Sequence, residues 1–370
     1  MTACYHARCD SSHCRRASDG VAHPTLTLAT SILASSLAFI DSSVTNVALP
    51  ALQKSLGGGP IDLQWTINGY ALPLAALLLV GGAAGDRFGR RRLLVAGIAL
   101  FALASIGCAA APSYAVLVPM RALQGVGAAF LMPNSLALLT AAFPERTRGR
   151  AIGTWAAVGV VASAAGPVIG GWLIGLYGWR AIFLINLPLA AVAIYLACRY
   201  VAEWQGRDMA VDWLGGALAT LALGLFAWTL TNWSSHQAMP TAAPVELVVA
   251  LAVLTAFFWI ELRRGERAMM PLGMFASRAF VGLSAITFLI YAALSGLFLL
   301  LPYTLIEGGY TPLQAGLALL PFPAIVAVAS RPLGQLAGRV GARWPLTFGS
   351  LGAAAGYALM TLVEPTGSYL

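Results

Sequence analysis

The stretch "GGAAGDRFGRRRLL", Gly81 to Leu94, places five ionised side chains within seven positions, between two long apolar segments. The chain as a whole is 59% hydrophobic and only 10% charged, with a mean hydropathy of +0.79. Apolar segments of about 20 residues, the length that crosses a hydrocarbon core, recur along it. They are too long for barrel strands and lack two-residue alternation. The sequence therefore predicts an all-α integral membrane protein in which Gly81–Leu94 connects two spans.

The apolar segments predict eleven transmembrane helices, at 26–48, 63–83, 93–112, 115–141, 151–175, 181–200, 212–232, 245–262, 280–304, 312–334 and 344–363. Of the 22 Lys and Arg residues, 19 fall in the amino-terminal tail or in every second loop. Lys54 and Arg180 lie in the opposite loops, and Arg121 lies within a span. Because basic residues concentrate on the cytoplasmic side, this pattern predicts a cytoplasmic amino terminus and accounts for the net charge of +8 without nucleic-acid binding.

An internal repeat relates the two ends of the chain. "GQLAGRVGARWPL", Gly334 to Leu346, repeats the charged loop with an offset of 252 residues, and Leu49–Pro50 recurs as Leu301–Pro302 at the same offset. Such duplicated halves are typical of secondary transporters. The second copy has Gly338 in place of Asp86 and Ala342 in place of Arg90. The matching pairs are Gly82 with Gly334, Arg87 with Arg339, Gly89 with Gly341 and Arg91 with Arg343.

The charged loop resembles the helix 2–3 signature of the major facilitator superfamily, and the chain from about residue 25 to residue 370 resembles its fourteen-helix drug/proton antiporter branch. The other stretches that carry the resemblance are "FIDSSVTNVALP" (39–50), "LQWTINGYAL" (63–72), "RALQGVGAAFLMP" (121–133), "GPVIGGWL" (166–173) and "GWRAIFLINLP" (178–188).

The resemblance implies a two-half helical bundle and fourteen helices, of which this chain offers eleven. We expect the chain to be truncated at its carboxy terminus. The predicted organisation is a disordered cytoplasmic tail (1–23), an amino-terminal six-helix half (24–200), two inserted helices with linkers (201–278) and an incomplete carboxy-terminal half (279–370).

The function implied by the resemblance is proton-coupled export of small amphipathic or cationic compounds, that is, multidrug efflux by alternating access in the cell membrane. The alternatives are a truncated remnant that does not transport, or an uptake symporter or facilitator of the same fold. An enzyme is disfavoured because no histidine lies in a span and no paired carboxylates occur. We expect a monomer that binds a small-molecule substrate, protons and the lipid bilayer, with no cofactor, no metal and no nucleic acid.

Asp41 and Arg121 are the candidate proton-coupling residues. Asp41 is the one acid clearly within an apolar span, where a carboxylate can bind a proton or a cationic substrate by turns; the alternative is a helix-terminal acid at the water interface. An arginine within a span costs at least about 2.5–3.5 kcal/mol by insertion scales, so it calls for a function. The alternative for Arg121 is a side chain that snorkels from the outer end of helix 4.

The sequence predicts three further groups of functional residues: a gating loop, a helix 5 motif and a substrate pathway. The charged loop is expected to gate the cytoplasmic side by clipping the two halves together, and a simple positive-inside anchor explains its arginines but not its acid or glycines. In helix 5, a motif that the family associates with export lets small residues press against the second half; ordinary close packing is the alternative. The gating residues are Gly82, Asp86, Arg87, Gly89, Arg90 and Arg91; the helix 5 residues are Gly166, Pro167, Gly170 and Gly171; the candidate substrate pathway comprises Asn46, Asn68, Gln124 and Asn134.

Overall fold

The computed structural model describes residues 23–203, 213–235, 243–265, 272–307, 318, 320–341 and 343–360. These residues form helices and short turns without a strand among them, which confirms the all-α class. The predicted tail lies outside the described residues except for its last position. Within the described residues, eleven α-helices follow in the predicted order: α1 Pro24–Leu56, α2 Pro60–Phe88, α3 Arg90–Ala110, α4 Tyr114–Ala142, α5 Glu145–Tyr177, α6 Ala181–Tyr200, α7 Trp213–Ser235, α8 Ala243–Arg264, α9 Arg278–Glu307, α10 Pro321–Val340 and α11 Arg343–Met360. A short 3-10 helix, Leu272–Ala276, precedes α9.

Seven helices of the described part are long and apolar enough to cross a membrane, namely α1 to α6 and α8. Shorter apolar helices cover Leu214–Leu230 in α7 and Arg278–Leu294 in α9. The protein is therefore a multi-pass membrane protein, as the sequence predicts.

Several helices extend past the predicted apolar spans. The predicted first span ends at residue 48, just before Leu49–Pro50, but α1 continues to Leu56 with Pro50 inside it. Proline removes one backbone hydrogen bond, and membrane helices tolerate this loss where neighbouring groups compensate for it. The predicted span 312–334 also differs, because α10 runs from Pro321 to Val340 and most of the residues just before it lie outside the described part.

The turn between α1 and α2 consists of three glycines. Gly57 and Gly58 have φ angles of 68° and 104°, which side-chain-bearing residues rarely adopt. The Asp62 carboxylate accepts a hydrogen bond from the Gly59 N–H at 2.9 Å and so stabilises the start of α2.

α4 lies at the centre of the first six helices and packs extensively against α2 and α3. α1 packs against α5, α4 and α6, and α3 also contacts α6. The buried apolar residues form two main clusters shared by these helices, for example Leu37, Ile98 and Phe101 in one and Val44, Leu117 and Phe183 in the other. Outside this group, α7 packs on α2 and on α8, while α10 contacts α5 and α11. The division into domains stays a prediction.

The internal repeat is visible in the backbone. Gly89 separates α2 from α3 with a φ of 105°, and Gly341 follows α10 with a φ of 85°. Both glycines therefore make the same kind of left-handed break between consecutive helices, at the positions that the 252-residue offset pairs.

Candidate functional site

Asp41 and Arg121 form an ion pair in the interior of the six-helix group. Arg121 Nη1 donates to Asp41 Oδ2, and each side chain is only 1% exposed. Both side chains therefore lie inside the helix group and away from its surface. The sequence treats Asp41 as an isolated acid, whereas the structure gives it a cationic partner. A buried charge is tolerated when it is paired and hydrogen-bonded in this way.

Two amide side chains complete the surroundings of the carboxylate. Asn186 Nδ2 donates to Asp41 Oδ1 at 2.9 Å, and Gln124 Nε2 donates to the same oxygen at 3.2 Å. Gln124 also accepts from Arg121 Nη1 at 2.8 Å, so it bridges both members of the pair. Ser105 Oγ accepts from Gln124 Nε2 at 2.8 Å. Side chains of α4 and α6 thus contact the carboxylate of Asp41 on α1, and Ser105 of α3 joins them through Gln124 and Asn186. We call these five residues the Asp41 cluster.

Arg121 has further partners that do not depend on Asp41. Its Nε donates to the Thr66 carbonyl at 3.1 Å, and its guanidinium carbon lies 4.6 Å from the Tyr70 ring centroid and 5.8 Å from that of Phe183. Cation–π contacts of this kind are strongest where water is excluded. Besides Asp41, Arg121 therefore contacts side-chain or backbone groups of α2, α4 and α6.

Asn186 and Ser105 are the members of this cluster that sequence reasoning missed. α6 consists of two segments, Ala181–Leu184 and Asn186–Tyr200, and Asn186 begins the second of them. Pro188, two residues later, has no N–H to offer the Leu184 carbonyl, which favours a break at this point. The available signal was an amide within an otherwise apolar span. Asn186 Oδ1 is buried without a hydrogen-bond partner among the described residues.

The four candidate pathway residues do not lie together. Gln124 belongs to the Asp41 cluster, Asn46 is exposed on α1 and Asn68 is partly buried on α2. Asn134 is buried between α4 and α2, where its Nδ2 donates to the Gly81 carbonyl at 3.0 Å and to Phe130 O at 2.7 Å. In this structure Asn134 joins two helices, and only Gln124 reaches Asp41.

The charged loop forms a compact ionic cluster. Asp86 Oδ1 lies 2.7 Å from Arg90, which also donates to the Ala137 carbonyl of α4 at 3.2 Å. Glu203, which the sequence did not single out, accepts from the backbone N–H of Arg91 at 3.2 Å and lies 3.5 Å from the Nε atoms of Arg91 and Arg92. These contacts join the α2–α3 turn to α4 and to the segment after α6. The predicted clip between the two halves stays a prediction.

The glycines of the loop differ in how closely α4 approaches them. A Cβ on Gly82 would meet Pro133 Cβ at 3.6 Å, an ordinary contact. A Cβ on Gly81 would overlap the Ala129 carbonyl oxygen, and one on Gly85 would overlap Asn134 Oδ1. The close approach of α2 and α4 therefore requires Gly81 and Gly85. The gating role predicted for Gly82 stays a prediction. Gly89 is required for its φ angle of 105°.

The glycines of α5 pack within the amino-terminal helices. A Cβ on Gly166 would lie 2.7 Å from Ser43 Cβ, and one on Gly170 would lie 2.9 Å from Val44 Cγ1, both on α1. Among the described residues, none lies within 4 Å of such a Cβ on Gly171. The sequence places these small residues against the second half. α5 does contact α10, but the tight contacts of Gly166 and Gly170 are with α1.

A multi-span bundle with an ion pair buried at its centre defines a membrane protein with an intramembrane charge site. The chain belongs to the Major Facilitator Superfamily, whose family model matches residues 31–370. Multidrug resistance protein Stp of Mycobacterium tuberculosis is 38% identical over 332 residues, which cover 88% of this chain and 61% of that protein. Methylenomycin A resistance protein of Bacillus subtilis is 36% identical, covering 82% of this chain and 65% of that protein. Drug efflux pump JefA of Mycobacterium tuberculosis is also 36% identical, covering 83% and 60%.

The chain thus spans about three fifths of the length of these relatives. Solved structures agree on the fold. A peptide transporter POT in complex with sulfate aligns with a TM-score of 0.60 and 15% identity, covering 86% of this chain and 69% of that one. The proton:xylose symporter XylE bound to 6-bromo-6-deoxy-D-glucose aligns with a TM-score of 0.56 and 13% identity, covering 85% and 69%.

Proposed function

We propose that this protein is a proton-coupled antiporter that exports small amphipathic or cationic compounds across the cell membrane by alternating access. The observation that carries the proposal is the buried Asp41–Arg121 ion pair with its two amide partners. Relatives named for multidrug resistance and drug efflux support export as the direction. The charge distribution supports a cytoplasmic amino terminus.

Protonation of Asp41 is the central step of the proposed mechanism. A proton on the carboxylate removes its negative charge and weakens its attraction for Arg121. The guanidinium then keeps the Thr66 carbonyl, Gln124 and the Tyr70 ring as partners, so its N–H groups stay hydrogen-bonded although its counter-ion is lost. Because Asp41 lies on α1 and Arg121 on α4, loss of the pair frees these helices to move relative to each other. Ionised and protonated Asp41 thus favour different arrangements of the bundle.

Asn186 can serve both states of Asp41. Its Nδ2 donates to the Asp41 carboxylate in this structure, a contact that suits the ionised acid. Its Oδ1, which has no partner among the described residues, can accept from the protonated acid after the amide rotates. A neutral amide that both donates and accepts suits a site whose acid gains and loses a proton.

The same carboxylate accounts for cation export. A cationic substrate that reaches Asp41 competes with the proton for one negative charge, which makes the two bind alternately. The charged loop with Asp86, Arg90 and Glu203 supports the predicted cytoplasmic side, where its ion pairs break and re-form as the helices move.

Everted membrane vesicles containing the protein test this function. We expect a pH gradient, acidic inside, to drive ethidium uptake into the vesicles and an uncoupler to stop it. Asp41→Asn should abolish the gradient-driven uptake, because the amide holds no titratable proton. Uptake by Asp41→Asn that responds to the gradient as the parent does would contradict the proposal. If the same pH gradient instead drove ethidium out of the vesicles, the protein would be an uptake carrier.

A further inference from the structure

Pro167 lies inside α5 and leaves one carbonyl without its helical donor. In an α-helix, the carbonyl of residue 163 accepts from the N–H of residue 167, and proline has no N–H. An unsatisfied carbonyl costs several kcal/mol in a hydrocarbon environment. The Ser163 carbonyl therefore needs a donor from elsewhere.

Ser43 of α1 provides that donor. Its Oγ donates to the Ser163 carbonyl at 2.6 Å, across the contact between α1 and α5. Gly166 makes the approach possible, because a Cβ there would lie 2.8 Å from Ser43 Oγ. Pro167 exposes the carbonyl, Gly166 leaves room for the hydroxyl, and Ser43 fills the vacant hydrogen-bond position.

The contact lies in the middle of the α1–α5 interface. On one side, the Phe39 ring packs where a Cβ on Gly159 would lie 2.8 Å away. On the other side, Val44 packs against Gly170. Ser43 follows Asp41 by two residues on the same turn of α1. The segment of α1 that carries Asp41 is thereby hydrogen-bonded to α5 at the carbonyl that Pro167 leaves without a helical donor.

We propose that Ser43 is a positioning residue. Its hydrogen bond to the Ser163 carbonyl holds α5, near Pro167, to the part of α1 that carries Asp41, so that the two helices change position together. This inference rests on the proposed antiport, because it gives the route by which a change at Asp41 reaches the helix 5 motif. It makes the hydroxyl at position 43, rather than the side chain of any α5 residue, the coupling element.

A double-mutant cycle between positions 43 and 167 tests this link. Ser43→Ala should slow pH-driven ethidium transport by about 2- to 12-fold, the factor that corresponds to one lost hydrogen bond. Ser43→Thr, which keeps the hydroxyl, should restore most of the rate. In a Pro167→Ala background, residue 167 regains its N–H and satisfies the Ser163 carbonyl. Ser43→Ala should then have no further effect. Ser42→Ala, an exposed hydroxyl next to it on α1, is the matched control.

The midpoint of thermal unfolding in detergent gives a readout that does not depend on transport. Ser43→Ala should lower it by about 2 °C in the parent and leave it unchanged in the Pro167→Ala protein. Equal effects of Ser43→Ala in both backgrounds, or none in either, would overturn the inference. If the proposed function fails instead, Asp41→Asn transports as the parent does, while the unfolding cycle still decides whether the hydrogen bond exists.

Discussion

Arg121 on α4 and Asp41 on α1 are 80 positions apart in the chain, yet they form an ion pair with each side chain 1% exposed. Their burial makes each charge dependent on the other. The dependence is unequal, because Arg121 also contacts Thr66 and Tyr70, whereas Asp41 otherwise relies on the two amides. Variants of Asp41 and variants of Arg121 should therefore differ in their effects on stability.

Removal of Arg121 alone should be more harmful than removal of both charges. Arg121→Leu leaves a buried carboxylate without its cation, which we expect to cost about 3–5 kcal/mol of stability. Adding Asp41→Asn should recover much of that loss, since no buried charge then remains. Thermal unfolding of the detergent-purified parent, the two single variants and the double variant measures this. Additive losses would show that the two residues do not act as a pair.

Asn186→Leu should lower stability by about 1–3 kcal/mol, because it removes a donor from a buried carboxylate. Asn46→Leu is the matched control, since Asn46 is an exposed amide on α1. The measurement is the unfolding midpoint of both variants. If the two substitutions have equal effects, the amide of Asn186 does not support Asp41.

Gly85→Ala should be strongly destabilising and Gly82→Ala close to neutral. The added methyl at position 85 overlaps Asn134 Oδ1, whereas the one at position 82 makes an ordinary contact with Pro133. Overpacking of this kind costs about 1–3 kcal/mol. Combining Gly85→Ala with Asn134→Ala should relieve the overlap. Membrane yield of folded protein by size-exclusion chromatography distinguishes these outcomes, and equal yields of the Gly82 and Gly85 variants would contradict the packing described for α2 and α4.

Glu203→Gln should destabilise the start of α3 by about 1 kcal/mol. The carboxylate accepts from the Arg91 N–H in the first turn of α3, where a negative charge is favoured by the helix dipole. Since Arg92 is largely exposed, added salt should reduce the difference between parent and variant. The measurement is the difference in unfolding midpoint between the parent and Glu203→Gln at low and at high ionic strength. A difference that grows with salt would rule out an ionic origin.

The sequence predicted the number and order of the helices because a span is a local property, readable from about 20 consecutive apolar residues. It also identified Asp41 and Arg121, since charged residues in apolar spans are conspicuous. The contact between them depends on how α1 and α4 pack, which no local pattern encodes. The same holds for Asn186, which is 145 positions from Asp41.

The details of helix packing were equally beyond the sequence. The loop motif contains Gly81, Gly82 and Gly85, and the rotation of α2 against α4 decides at which of them an added side chain would collide with α4. Likewise, the small residues of α5 indicate close packing but do not identify the neighbour, which is α1 at Gly166 and Gly170. Pro50 signals the end of a helix by its lost N–H, yet α1 continues because one missing bond does not outweigh its tertiary contacts.

The most direct test of proton coupling at Asp41 is substrate-induced proton release from the purified protein, followed between about pH 6 and 8 in weakly buffered solution. Addition of ethidium should release protons from the parent protein, because the cation displaces the proton from Asp41. Asp41→Glu should release protons with a shifted pH dependence, since the carboxylate is kept but displaced by one methylene. Asp41→Asn should release none. Proton release by Asp41→Asn equal to that of the parent would contradict the assignment and place the coupling acid elsewhere.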